Sequence, residues 1–151
     1  MTPREALNRR IYEARARFRY IPDADKDADW IEQWAADRFN TPAETEARKG
    51  IDCDDFAVFA LIRGYELVAH LPDPGRWSLV LGNVRQAGQW LGHAWVELIV
   101  AGERLWADPT WGELCQSPAA LGWPATRRPL RLFPFDSSVF DGPIAFQEVA
   151  P

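Results

Sequence analysis

The sequence has few cysteines and no long apolar run, and these two shortages exclude several classes of protein. Only two cysteines, Cys53 and Cys115, occur among 151 residues, whereas small secreted domains held together by disulfides carry more. No apolar stretch approaches the roughly 20 residues that a membrane-spanning helix needs. No apolar run of signal-peptide length follows the charged start. We therefore expect no membrane partner and, for the sequence as written, a cytoplasmic location.

Basic charge is also in short supply. The 17 Lys and Arg residues are outnumbered by 22 Asp and Glu, so the net charge is -5. This balance provides no general basic surface for nucleic acid, and we expect no nucleic-acid partner. The chain is rich in apolar material instead, with 47% hydrophobic residues and eight Trp. At this length the composition predicts a single domain over residues 1–151.

The first half of the chain has the patterns of helices. Apolar residues at helical spacing predict a first helix over residues 3–19. A second helix is predicted from about Asp27 to Phe39, and the sequence Thr41-Pro42-Ala43-Glu44 has the signals of a capping box. The most apolar helix is predicted from Asp52 to about Leu71. Its apolar residues cover most of its circumference, which is typical of a helix in the middle of a domain.

The second half has the patterns of strands. Three are predicted, at residues 77–81, 94–100 and 103–107, with Ala101-Gly102 as a hairpin turn between the last two. Helices followed by antiparallel strands predict an α+β fold. We expect the core of the domain to cover about residues 18–112. A Pro-rich C-terminal extension of about residues 113–151 then wraps the body in extended form.

Cys53 opens the central helix, where a thiol is exposed to the positive end of the helix dipole, which favours the thiolate. His93 is predicted to begin a strand, after a glycine-bearing loop at residues 86–92. Asp108 closes the next strand. If the intervening turn has two residues, Asp108 is a diagonal neighbour of His93 and within side-chain reach.

Each of these three residues also has an ordinary structural interpretation. Cys53 alone is typical of a buried packing residue, His93 of a strand edge, and Asp108 of a turn. Together they supply a nucleophile, a general base and a residue that orients the base. The combination therefore favours nucleophilic catalysis by the cysteine.

The wider pattern resembles the bacterial transglutaminase-like cysteine proteinases. The sequence Gly50-Ile51-Asp52-Cys53-Asp54-Asp55-Phe56-Ala57 is similar to the Gly-Asp-Cys-Glu-Asp-Tyr-Ala block of that family. His93-Ala94-Trp95-Val96 resembles its His-Ala-Val-Leu strand, and Trp106-Ala107-Asp108-Pro109 its Val-Leu-Asp-Asn strand. The resemblance covers roughly residues 18–112. The chain departs from the pattern at Ile51, which is inserted, and at Pro109, where the family often has Asn.

This resemblance implies a papain-like, transglutaminase-like core, in which the helix carrying Cys53 packs on an antiparallel sheet carrying His93 and Asp108. It implies hydrolysis of a peptide or isopeptide bond in a peptide or protein substrate through an acyl-enzyme, with no required cofactor. Two alternatives stay open. One is acyl transfer to an amine, as in a transglutaminase, and the other is a catalytically inactive domain used for binding or assembly.

Further residues are candidates for contacting the substrate. Gln33 and Trp34 are upstream candidates for a second donor to the oxyanion. Trp95, together with Trp90 and Trp111, lies close in sequence to the proposed catalytic residues and is expected to line a cleft. Ordinary packing of these tryptophans is the alternative.

The carboxylates beside the cysteine suggest a metal. Some periplasmic members of the family bind calcium there, and Asp52 and Asp54 fall at the matching positions. Carboxylate oxygens are suitable hard ligands for calcium. Capping of the helix and compensation of its dipole are the alternative interpretation of both residues.

Overall fold

A computed structural model describes residues 1–20, 42–43 and 50–135. The helix predicted from about Asp27 to Phe39 lies outside these residues, as does the chain after residue 135. Of the predicted capping sequence, Pro42 and Ala43 are described, and both are helical.

Two α-helices pack against each other. Helix α1 spans Pro3–Arg17 and helix α2 spans Cys53–Val68, so both predicted helices are confirmed, with α2 ending slightly earlier than expected. Each begins with a capping box, because the side chain of the N-cap residue accepts a hydrogen bond from the third helical residue. Leu7 in α1 lies beside Gly64 late in α2, while Phe18 after α1 meets Phe59 edge to face at 5.1 Å. The two helices are therefore antiparallel.

Five strands form one antiparallel sheet. A separate short pair consists of β1 (Arg19–Tyr20) and β2 (Gly50–Ile51), which are parallel. The strands of the sheet are β3 (Arg76–Gln86), β4 (Gln89–Val100), β5 (Glu103–Asp108), β6 (Glu113–Gln116) and β7 (Arg127–Pro134). Their order across the sheet is β6-β5-β4-β3-β7. A 3-10 helix at Trp123–Ala125 precedes β7. The expected α+β architecture is confirmed.

The two hairpin turns differ in how well the sequence predicts them. The turn at Ala101-Gly102 is confirmed, with Val100 paired to Glu103. The loop predicted at residues 86–92 is wrong, because β3 and β4 continue as a long hairpin that closes at Ala87-Gly88. Ala87 and Gly88 have φ angles of 52° and 78°. Such left-handed residues suit a two-residue turn whose twist matches the strands.

The Pro-rich segment contributes two strands to the sheet. Strand β6 pairs with β5 at one edge, and β7 pairs with β3 at the other. The pairing of β7 with β3 is irregular between Leu81, which pairs with Arg131, and Gly82, which pairs with Pro129. Proline is tolerated there because it lies in an outer strand. The extended segment expected in this region, up to residue 134, is thus part of the central sheet.

The sheet has two differently covered faces. The helix face contacts α2 and carries the alternate residues Ala94, Val96 and Leu98 of β4 in the main buried cluster, which also contains Cys53. The opposite face, called here the tryptophan face, carries a second cluster. Its members are Val80, Trp95, Trp106 and Trp123. Within residues 1–20 and 50–135, neither helix has the length and apolarity to cross a bilayer.

Candidate functional site

The sequence predicted that His93 begins a strand, but His93 lies within strand β4, four residues after its start. Its side chain is on the tryptophan face and is 4% exposed. Its Nε2 atom lies 2.7 Å from Oδ2 of Asp108, the last residue of β5. The diagonal relation that the two-residue turn predicts therefore brings the two side chains into a hydrogen bond. Among the described residues, Asp108 is the hydrogen-bond partner of the imidazole.

Asp108 is completely buried and has further partners. Nη2 of Arg127, at the start of β7, donates to the same Oδ2 atom at 2.8 Å. The backbone N–H of Trp111 donates to Oδ1 at 3.4 Å. An ionised carboxylate accepts several hydrogen bonds at once. Asp108 is thus held by two side chains and one backbone group.

Arg127 was missed by reasoning from the sequence. Its side chain is 3% exposed, and its guanidinium carbon lies 3.8 Å from the ring centroid of Trp123. Burial lowers the pKa of Arg127, and the neighbouring charge of Asp108 opposes that effect. The pair Arg127-Arg128 opens a strand, so alternation places one arginine inside and the other outside. That signal becomes useful only once β7 is known to be a strand.

Two tryptophan rings lie nearly parallel to the His93 ring. Trp111 stacks on it with ring centroids 4.4 Å apart and planes within 14°. The ring centroid of Trp95 lies at 6.4 Å, with an interplanar angle of 24°. Trp95 is fully buried, whereas Trp111 is 37% exposed. Of these two candidates for lining a cleft, Trp111 is the one that reaches solvent.

Cys53 is the first residue of α2 and is buried. A Cβ atom on Gly64 would lie 2.8 Å from the ring of Trp77, which fixes the later part of α2 beside the start of β3. Cys53 packs in the buried cluster on the helix face, whereas the side chain of His93 lies on the tryptophan face. The pair of predicted catalytic side chains that the structure brings into contact is His93 and Asp108.

The remaining predicted site residues fall in two groups. Gln33 and Trp34 lie outside the described residues. Asp52 is the N-cap of α2 and accepts a hydrogen bond from the backbone of Asp55 at 3.3 Å, which confirms the capping interpretation for Asp52. One ligand atom from each of Asp52, Asp54 and Asp55 lies within 4.8 Å of the others. These hard oxygen donors suit calcium, and Asp55 was not among the predicted ligands.

Cys115 differs chemically from a nucleophile. It is a free thiol on β6 with no exposed surface. Burial raises the pKa of Cys115 to about 12, and its backbone N–H donates to Oδ1 of Asn8 in α1. The burial and these contacts give Cys115 a structural role in joining β6 to α1.

The comparisons with known proteins give one consistent result. No family model and no curated protein matches the chain. Its backbone is similar to solved structures of LapG from Legionella pneumophila. The calcium-bound form has a TM-score of 0.60 at 17% identity, covering 88% of this chain and 65% of LapG. A second LapG structure gives 0.59, 18%, 89% and 66%, and an EGTA-treated form gives 0.58, 14%, 97% and 72%.

These similarities define the fold of the chain. Two helices on a five-stranded antiparallel sheet form an α+β, transglutaminase-like core like that of LapG. The chain spans about two thirds of the length of the LapG chains that it matches, 65% and 66% in the first two.

Proposed function

We propose that this chain is a cysteine hydrolase that cleaves a peptide or isopeptide bond through Cys53, His93 and Asp108. The observation that carries the proposal is the buried 2.7 Å hydrogen bond between His93 and Asp108. It occurs in a fold shared with LapG, and α2 of that fold begins at a cysteine. Nucleophile, base and orienting carboxylate are the three parts that acyl transfer by a cysteine requires.

The hydrogen bond assigns a role to each ring nitrogen of His93. An ionised Asp108 only accepts hydrogen bonds, so Nε2 carries the proton in the neutral imidazole. Nδ1 is then the basic nitrogen, with a lone pair available for a proton. In the proposed reaction Nδ1 takes the proton of the Cys53 thiol. The carboxylate fixes this tautomer and stabilises the imidazolium that forms.

The proposed cycle has two stages. The Cys53 sulfur attacks the carbonyl carbon of the scissile bond, and backbone N–H groups at the start of α2 stabilise the oxyanion. His93 then protonates the leaving amine, and the acyl group stays on the sulfur as a thioester. A water molecule gives a proton to His93 and attacks the thioester. The products are a carboxylic acid and the regenerated thiol.

We also propose that calcium binds beside Cys53, at the start of α2. LapG has been solved in a calcium-bound form, and the carboxylates Asp52, Asp54 and Asp55 supply donor atoms of the right chemistry. A bound calcium ion supplies positive charge that balances these carboxylates. Their uncompensated charge disfavours a thiolate at the adjacent Cys53.

Alkylation by iodoacetamide, followed by mass spectrometry to locate the label, tests the catalytic pair. Cys53 of the wild type is expected to react rapidly near neutral pH, and His93→Ala is expected to slow it. Cys115 provides an internal control, because its raised pKa of about 12 keeps it protonated in this range. A Cys53 that reacts like an ordinary thiol in both proteins contradicts the proposal and favours an inactive binding domain. Once a substrate is found, products formed with and without an added amine separate hydrolysis from transfer.

A further inference from the structure

Arg127 is a buried cation joined to the carboxylate that orients His93. Nη2 of Arg127 and Nε2 of His93 share the Oδ2 atom of Asp108, at 2.8 and 2.7 Å. We propose that Arg127 is a positioning residue for His93, which holds Asp108 in place and whose positive charge balances that of the carboxylate. The catalytic consequence rests on the proposed function, whereas the coupling of charges does not.

The contact joins strands that are not neighbours. Strand β7 carries Arg127 and β5 ends at Asp108, and β3 and β4 lie between them in the sheet. The arginine side chain therefore crosses the tryptophan face to reach the carboxylate. The contact holds the end of β5 in place and so maintains the orientation of Asp108 toward His93.

Three tryptophan rings hold the guanidinium. Its central carbon lies 3.8 Å from the ring centroid of Trp123, 5.1 Å from Trp95 and 5.3 Å from Trp111. Trp95 and Trp111 are also the rings that lie nearly parallel to the His93 ring. A planar guanidinium suits stacking between rings, whereas a lysine ammonium is a point charge. Arg127 and His93 are thus packed by the same two side chains.

The charge of Arg127 acts on the protonation of His93 through Asp108. A buried carboxylate with imidazole as its one polar side-chain partner favours the imidazolium, because an opposite charge stabilises the charged form. Arginine remains protonated in proteins. Its positive charge balances the carboxylate and opposes a second positive charge on the ring.

Other charged groups surround this centre. Glu113 on β6 acts on Arg127 in the direction that raises the pKa of the arginine. Arg15 from α1 donates to the backbone oxygen of Thr110. Cys53 begins α2 on the helix side of the sheet. Within the described part of the chain, neither Glu113 nor Arg15 hydrogen-bonds to Asp108, so the direct ionic partner of the carboxylate is Arg127.

The chain is convenient for a titration because it has only two histidines, His70 and His93. The imidazole carbon signals are followed by proton–carbon NMR across pH in the wild type and in Arg127→Gln. Glutamine removes the charge but retains an amide donor for Asp108. The midpoint of the His93 titration is expected to rise by about one pH unit or more. His70 is expected to keep its midpoint.

Arg128→Gln is the matched control, because Arg128 is the next residue of β7 and is exposed over the ring of Trp90. It is expected to leave His93 unchanged. Arg127→Lys keeps the positive charge but loses the planar guanidinium, which stacks between the tryptophan rings. The midpoint of the His93 titration is therefore expected to stay the same in this variant. Alkylation of Cys53 is expected to slow several-fold. An unchanged His93 midpoint in Arg127→Gln overturns the inference. If that variant does not fold, a raised midpoint in Arg127→Lys overturns it.

The outcomes separate this inference from the proposed function. The titration is repeated with Cys53→Ala, in which the thiol is absent and the coupling between Arg127 and His93 persists. A His93 midpoint that moves in Arg127→Gln, combined with a Cys53 thiol indifferent to His93, supports the coupling and rejects only the hydrolase.

Discussion

Nε2 of His93 and Oδ2 of Asp108 lie 2.7 Å apart, and the two side chains are 4% and 0% exposed. Their separation from water matters because a hydrogen bond to a carboxylate is stronger in surroundings of low dielectric constant. It also fixes the ring, since the described residues give the imidazole this one hydrogen-bond partner. The hydrogen bond thereby leaves Nδ1 as the nitrogen that can accept a proton, before any substrate binds.

Asp108→Asn is expected to lower the rate of substrate hydrolysis roughly a thousandfold or more. The amide has no charge to stabilise the imidazolium, and its NH2 group can face Nε2 and reverse the tautomer. The turnover number is the quantity to measure, with circular dichroism to verify the fold. Asp73→Asn serves as control, because Asp73 is an exposed carboxylate in the connection after α2. Hydrolysis by Asp108→Asn at the wild-type rate rules out an orienting role for this carboxylate.

Features set by neighbouring residues in the sequence were predictable. Helix α1 and the Ala101-Gly102 turn follow from apolar spacing and turn chemistry, and both are confirmed. The extent of β3 and β4 was not predicted, although their turn at Ala87-Gly88 has the same two residue types and the same left-handed φ angles as the turn at Ala101-Gly102. His93 therefore lies deeper in its strand than expected.

Features that depend on contacts between residues far apart in the sequence were not predictable from the sequence. Arg127 and Arg128 are chemically identical neighbours, yet one is buried against Asp108 and the other is exposed. The difference arises from the alternation of side chains along β7, which places Arg127 on the tryptophan face and Arg128 on the other face. Pairing of β7 with β3 likewise could not be read from a segment that contains prolines. The contact between His93 and Asp108 was predictable because it follows from the register of one hairpin.

Gly82→Ala is expected to destabilise the protein by about 3 kcal/mol, because strands β3 and β7 leave no room for a methyl group. A Cβ atom at this position would lie 2.2 Å from the carbonyl oxygen of Arg128 and 2.7 Å from the ring of Trp95. Gly88→Ala provides the contrast: its φ is +78° and nothing lies within 4 Å. Left-handed strain alone costs about 1 kcal/mol there. Urea denaturation measures both values, and equal losses contradict the steric argument.

Cys115 is expected to make the stability of the fold fall as the pH rises from about 9 to about 12. Burial raises the pKa of this thiol from 9.0 to about 12 in the folded state. Between these values the unfolded chain has lost the proton and the folded chain retains it, so increasing pH favours unfolding. The loss is about 1.4 kcal/mol per pH unit. Unfolding free energies of the wild type and Cys115→Ala, compared across this range, are expected to converge or cross, and a constant difference contradicts the assignment.

Calcium is expected to raise the melting temperature by several degrees if the three carboxylates at the start of α2 bind it. A ligand at a hundredfold excess over its Kd stabilises the folded state by about 2.7 kcal/mol. Asp54→Asn removes one ligand and leaves the N-cap Asp52 in place, so this variant is expected to lose most of the shift. Asp73→Asn is expected to retain it, and magnesium at the same concentration tests selectivity for the larger ion. If the wild type and Asp54→Asn melt identically with calcium or EGTA, the carboxylates serve the helix and not a metal.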